Sequence, residues 1–292
     1  MRRRGAGILA LAVTAAALVG CGSADLPASV SSTTAATPTT LSPDELEAAL
    51  DPTCVAGVDV QPGSTVQTVD VDGVPRSYLQ YVPTSYEGVS MPVVGSLHNT
   101  GATAAQQDDT SGLRTAADAD GFVLLSPQGL GDVPTWDSAA GSADVAFVQA
   151  MLEQSATRFC LDPARVFAFG NGDGSAMAAR LACDLSDRVA AAAFVGDAAA
   201  PAPCDQQRPV PLVVLPGFDG GVGPWVERYG CDEVPSPEPV AAGATGTGTL
   251  TAVVYLGCEE GAALETLPDA EQALLNDAIW AFLAAHPLTA TP

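Results

Sequence analysis

Between Arg165 and Cys183 the chain reads RVFAFGNGDGSAMAARLAC. A short apolar run, a glycine-rich turn and an Ala-rich run in that order describe a sharp strand-to-helix elbow, a device that lifts a reactive side chain above the edge of a sheet. The chemistry of such an elbow is acyl transfer: a serine at its apex attacks a carbonyl carbon once a neighbouring base takes its proton. The G-x-S-x-G spacing, counted from Gly170 to Gly174, puts Gly172 at the apex, where there is no hydroxyl. Ser175 lies further along, in the first turn of the expected helix; a helix-start role suits it, since a displacement of about 1 Å already costs roughly a hundredfold in rate. Asp173 reads as a solvated elbow residue with no second carboxylate cluster near it in sequence. Gly170-x-Gly172-x-Gly174 is also a weak match to a phosphate-binding turn, with its third glycine one residue early for G-x-G-x-x-G.

A base is equally hard to find. The chain has 2 histidines, His98 and His286. His286 follows the last expected helix, seven residues beyond Ile279, so a rise of ~1.5 Å per residue carries it about 10 Å from that helix's middle. It reads as a helix-terminal residue.

The elements that would position such a site alternate along the chain from about Val66 onward. Short β-branched or apolar runs predict strands near 66–71, 76–82, 92–98, 122–126, 165–169, 190–195, 211–216 and 250–256, with helices between the later ones. That alternation gives a mostly parallel sheet covered on both faces, an α/β domain. Within Ser142–Arg158, the positions Val145, Val148, Met151 and Leu152 make the apolar face of a helix lying on a sheet. The last helix, Asp269–Ala285, carries Ile279, Trp280 and Phe282 as packing residues. Val234–Thr247, rich in Pro, Gly and Ala, reads as a loop.

The first fifty residues have a different character. Met1-Arg2-Arg3-Arg4 is a positive start and Gly5–Gly20 an apolar run, too short for the roughly 20 residues of a span; Leu18-Val19-Gly20-Cys21 then resembles a bacterial lipobox. Residues 1–20 are thus expected to be a lipoprotein signal peptide, with Cys21 lipidated. Residues 21–50, rich in Ser, Thr, Ala and Pro, form an expected disordered tether, about twenty residues of such coil spanning roughly 25 Å. Residues 51–292 hold the domain. Six further cysteines behind an export signal read as three disulfides. Six cysteines allow many pairings; closeness in sequence favours Cys183 with Cys204 and Cys231 with Cys258, which leaves Cys54 with Cys160. No two lie at C-x₂₋₄-C spacing, so no metal is expected, and no cofactor is called for.

The formal net charge is −23, and removal of the leader takes away three arginines and no acid. A field of that sign repels nucleic acid and anionic lipid, so membrane contact is expected through the lipid anchor alone. The expected location is the outer face of the cell membrane or envelope.

Further residues carry a resemblance. Arg76-Ser77-Tyr78 with Val82-Pro83, Leu97-His98, Ala116-Ala117-Asp118 leading to Gly121-Phe122-Val123 and Ser126-Pro127 come first. Trp136, Asp144–Val148, Asp162-Pro163 before Arg165-Val166, and Arg180–Cys183 follow in order. Together they resemble the polyhydroxybutyrate depolymerase and feruloyl esterase-like branch of the α/β-hydrolases over roughly residues 65–286. The resemblance implies an α/β-hydrolase fold, an elbow serine, an aspartate after a later strand and a histidine in a His-x-Trp-Pro loop before the last helix. Carried over, the serine falls on Gly172 and the aspartate near Asp219. The histidine has no counterpart in LGCEEGAALETLPDAEQ. The resemblance places His98 in the turn that shapes the oxyanion region, and Asn99 stands where the family has glycine, so a side chain there narrows that turn.

Taken together, these residues predict an exported lipoprotein whose esterase-like fold has lost its triad, a pseudoenzyme that binds a small ligand or an envelope protein. Two alternatives stay open: an active carboxylic ester hydrolase with a rearranged site, and a structural envelope protein.

Overall fold

A computed structural model describes residues 60–196, 199–216, 222–241, 249–268 and 270–288. Cys21, the tether, Cys54 and Asp219 lie outside the described residues, so the expectations placed on them are neither met nor refused by the fold.

Two long strands, β1 (Gly63–Val71) and β2 (Val74–Val82), pair antiparallel around a tight Asp72-Gly73 turn. They lead into β3 (Met91–Leu97), β4 (Val123–Pro127), β5 (Leu161–Asn171), β6 (Ala191–Gly196) and β7 (Leu212–Pro216). Three more follow, β8 (Ser236–Ala241), β9 (Thr249–Tyr255) and β10 (Leu264–Thr266). The sheet order is β1-β2-β4-β3-β5-β6-β7-β10-β9-β8. From β4 to β10 the neighbours run parallel, and antiparallel pairs flank them on both sides. Every residue of β3 and β4 is buried, as strands covered on both faces must be.

Each strand expected from the sequence is present, most with ends shifted by a few residues. Two were not foreseen. Residues 236–241, expected to be part of a loop, form β8 at the edge of the sheet; Pro237 and Pro239 lack N–H groups, which an edge strand tolerates and which discourage further pairing. β10 is three residues long, too short to leave a period in the sequence.

Among the described residues, six helices cover the faces: α1 (Ala104–Thr110), α2 (Leu113–Asp120), α3 (Ala143–Ala156), α4 (Asp173–Asp184), α5 (Gly223–Arg228) and α6 (Gln272–Ala285). Thr103 and Gln106 cap α1 reciprocally, each side chain bonding the other's backbone N–H, which satisfies two donors that a helix start leaves free. Ser142 Oγ caps α3 by accepting from Val145 N. Val145, Val148, Met151 and Leu152 of α3 pack in one core layer with α4 and Trp225 of α5. The opposite layer holds α2 and α6, where Trp280 stacks on Phe122 with ring centroids 4.6 Å apart. Disulfides join Cys183 to Cys204 and Cys231 to Cys258. Cys160 is also disulfide-bonded; its expected partner, Cys54, lies outside the described residues. No helix among the described residues is long and apolar enough to cross a membrane.

Candidate functional site

Parallel strands direct their C-terminal ends to one edge, and in open α/β sheets that edge is where ligands bind. Here the edge gathers His98-Asn99 after β3, Gln128-Gly129 after β4, Gly172 after β5, Gly196 at the end of β6 and the segment after β10. The segment after β7, with Asp219, is not described.

The elbow itself is fully formed. β5 ends at Asn171, Gly172 takes φ 55° and ψ −123°, and α4 begins at Asp173. Side chains rarely adopt that backbone, and a residue with a Cβ is held there only by strain of order 1–3 kcal/mol. Gly172 N donates to Val195 O at 2.8 Å and Gly172 O accepts from Ser175 N at 2.8 Å, so both neighbouring elements fix the apex. Gly174 lets α4 approach β3: a Cβ there would collide with the carbonyl oxygens of Leu97 and His98. The turn thus has the strand-to-helix backbone of an elbow, with glycine at its apex.

The space above the apex is taken. A Cβ on Gly172 would lie 2.5 Å from Asn99 Cγ and 2.9 Å from Asn99 Nδ2, and closer still to Asn99 Oδ1. That oxygen accepts from Asp173 N at 3.0 Å and from Thr100 N at 2.9 Å. In an acyl-transfer site on this architecture, the N–H after the nucleophile and an N–H of the loop after β3 are the pair that stabilises the oxyanion. Here both converge on an amide oxygen belonging to the protein. The sequence indicated that Asn99 narrows the turn; the structure places its carboxamide on the donors.

His98 is buried and holds the turn in place. Its Nε2 accepts from Gly129 N at 2.9 Å, so the proton resides on Nδ1, which donates to Asn99 O at 2.9 Å. Burial pushes its pKa down, against smaller opposing effects from the Asn99 carbonyl and Asp144. The ring packs on Trp136 at 4.7 Å, and Trp136 Nε1 donates to His98 O at 2.7 Å. Both ring nitrogens are thus engaged with the backbone of the turns that follow β3 and β4. His286 caps the end of α6, with Nδ1 2.7 Å from Phe282 O and its ring on Phe282 at 4.3 Å. Ser175 is fully buried, and its Oγ lies 3.0 Å from both Gly170 O and Val195 O. Its single hydroxyl proton is shared between two backbone carbonyls, which leaves nothing for a substrate. Asp173 is exposed, and its backbone N–H, not its carboxylate, joins the site.

Glu265 of β10 carries no distinguishing mark in the sequence. Burial, and then the charge of Glu238, lift its carboxyl to about 7, a value suited to a general base. Its position excludes that role: in register with Val213 and Val254, it points to the sheet face that α6 covers, below the edge where the elbow opens. Only its place between strands, set by long-range pairing, perturbs it, so no local signal marks it. No group of three or more metal-ligating side chains occurs among the described residues.

No protein-family model matches the chain. NocK of Nocardia uniformis subsp. tsuyamanensis, which is named as an esterase, is 30% identical over 186 residues, 60% of this chain and 53% of NocK. The bifunctional acetylxylan esterase/xylanase XynS20E of Neocallimastix patriciarum is 27% identical over 150 residues, 51% of this chain and 22% of its own. The matches thus span about half of NocK and a smaller share of XynS20E. Among solved structures, the acetyl xylan esterase from Aspergillus awamori superposes with a TM-score of 0.56 at 13% identity, over 75% of this chain and 99% of that one.

Proposed function

We propose, for a chain that has the α/β-hydrolase fold in its esterase-like form, that the protein binds a ligand or partner and does not hydrolyse esters. The observation that carries this reading is the Asn99 carboxamide. Its oxygen holds both N–H groups that a tetrahedral intermediate would need, and its atoms fill the volume where a nucleophile at 172 would begin. A carbonyl substrate has no free donors to bind and no hydroxyl to meet.

The reading predicts no turnover of short-chain aryl esters or feruloyl esters above a heat-treated control, and no labelling by a fluorophosphonate, which reacts only with an activated serine. NocK's name favours the competing reading, an active hydrolase with a rearranged site. Turnover that disappears in Ser175→Ala would establish that alternative and end the present one.

The export reading is part of the same proposal and rests on Leu18-Val19-Gly20-Cys21. Two acyl chains on Cys21 supply the two signals that stable anchoring needs, while the acidic domain is repelled by anionic headgroups. Cys21→Ala is expected to move the protein from the detergent phase to the aqueous phase on extraction of expressing cells. Equal partition of the two forms contradicts lipidation.

A further inference from the structure

We infer that the groove between α5 and the end of β9 is a docking surface for a basic, amphipathic peptide segment of a partner protein. The inference is independent of the elbow and stands or falls apart from the absence of hydrolysis.

The groove is open and about 830 Å³ in volume. Val222, Pro224, Val226 and Tyr255 line it, and Glu227 and Glu233 reach it from the rim. On the two loops that flank it, Val234, 81% exposed, is the most exposed large apolar residue among those described, and Leu256 is 50% exposed. Neighbouring exposed apolar groups rimmed by polar ones mark interaction sites more often than plain surface. The Cys231–Cys258 bond ties these loops together, and Asp232 N donates to Leu256 O at 2.7 Å. The walls are therefore held in place before any partner arrives, which reduces the ordering cost of binding.

Charge selects the occupant. The same two loops and α5 carry Glu227, Asp232, Glu233, Glu259 and Glu260, and none of them joins an ion pair among the described residues. The chain has no lysine. Every arginine of the described residues is already engaged: five pair with carboxylates, Arg158 with the Gln67 amide, and Arg208 and Arg228 with backbone carbonyls. The protein thus supplies apolar contact beside a net negative charge, five carboxylates against the single guanidinium of Arg228, which ends α5 and is turned to Cys204 O at 3.1 Å. The complement is a segment with arginine or lysine on one side and aliphatic groups on the other.

The test is fluorescence anisotropy with a labelled Arg/Leu amphipathic peptide of roughly twelve residues, the length of a short recognition segment, titrated with the purified chain. Glu227→Gln/Glu233→Gln is compared with Glu87→Gln/Asp132→Asn, which removes the same charge from exposed positions elsewhere; melting curves confirm that both variants fold. We expect the rim pair to weaken binding about tenfold or more and the distant pair less than about twofold, as buried or groove-held charge pairs outweigh screened ones. Leu256→Ser is expected to weaken it as well. Equal losses in both charge variants overturn the inference, because net charge alone would then explain binding. Equal affinity for a charge-matched Arg/Ser peptide overturns it too, as does the absence of binding at moderate salt.

Discussion

Gly172→Ser is expected to lower stability by about 2–3 kcal/mol and to restore no esterase activity. The backbone at 172, with φ 55° and ψ −123°, costs a residue with a Cβ about 1–3 kcal/mol. The new side chain also meets the Asn99 carboxamide, which must leave its bonds to Asp173 N and Thr100 N; each such bond is worth roughly 0.5–1.5 kcal/mol, less where water replaces it. Asn99 is exposed, so it can swing away, and the two changes are coupled. Asn99→Gly in the Gly172→Ser background should recover about 1 kcal/mol beyond the additive sum, as neighbours in contact do. Neither variant has an imidazole in reach: His98 is committed through both nitrogens and His286 sits at the far end of α6. Thermal unfolding and an aryl-ester assay of the single and double variants check this. A single variant as stable as the parent shows that Asn99 does not occupy the apex, and vigorous turnover reveals a base elsewhere.

Why the elbow was legible and its occupant was not follows from the range of the interactions. Glycines at 170, 172 and 174 between an apolar run and an Ala-rich one specify a local geometry, and β5, the turn and α4 appear there. The mostly apolar runs of β3, β4 and β6, broken only by Ser96 and Ser126 among polar side chains, announce central strands in the same local way. The direction of Asn99's side chain depends instead on Asp173, 74 residues away, and no periodicity encodes that. AAQQDDT hides α1 because the face it buries, Ala104, Gln107 and Asp108, is mostly polar and leaves no apolar stripe; the reciprocal Thr103/Gln106 cap marks its start. β8 was hidden by its own chemistry: Pro237 and Pro239 read as breakers, yet at the edge of a sheet their missing donors face no partner. In each of these cases the missed feature owes its form to tertiary context, while the family pattern carried the fold.

The same distinction governs the support beneath the elbow, where Asp144→Ala is expected to cost about 3–5 kcal/mol, the price of stranding a buried partner charge. Arg76 Nη2 lies 2.6 Å from Asp144 Oδ1, with the two side chains only 2% and 9% exposed. The guanidinium also stacks over Phe147, 4.1 Å from the ring centroid, and its remaining contact is a longer one, 3.3 Å to Gln128 O. Without Asp144 the cation has no counter-charge and little access to water. Asp144 Oδ2 further accepts from Asp137 N at 2.7 Å, and the adjacent Trp136 carries the ring and hydrogen bond that hold His98. Loss of the carboxylate therefore loosens the loop that braces the Asn99 turn as well as the core. For a domain of this size the stability change corresponds to a fall in Tm of roughly 6–20 °C. Replacing both partners with apolar residues, Arg76→Leu with Asp144→Ala, should recover most of that fall, because a buried ion pair is worth little over a well-packed apolar pair while a lone buried ion is costly. Melting curves of the two single variants and the double variant decide the matter. A double variant no more stable than Asp144→Ala means that the penalty comes from the lost Asp137 contact and not from the stranded guanidinium, and a single-variant loss below about 1 kcal/mol places the pair in water after all.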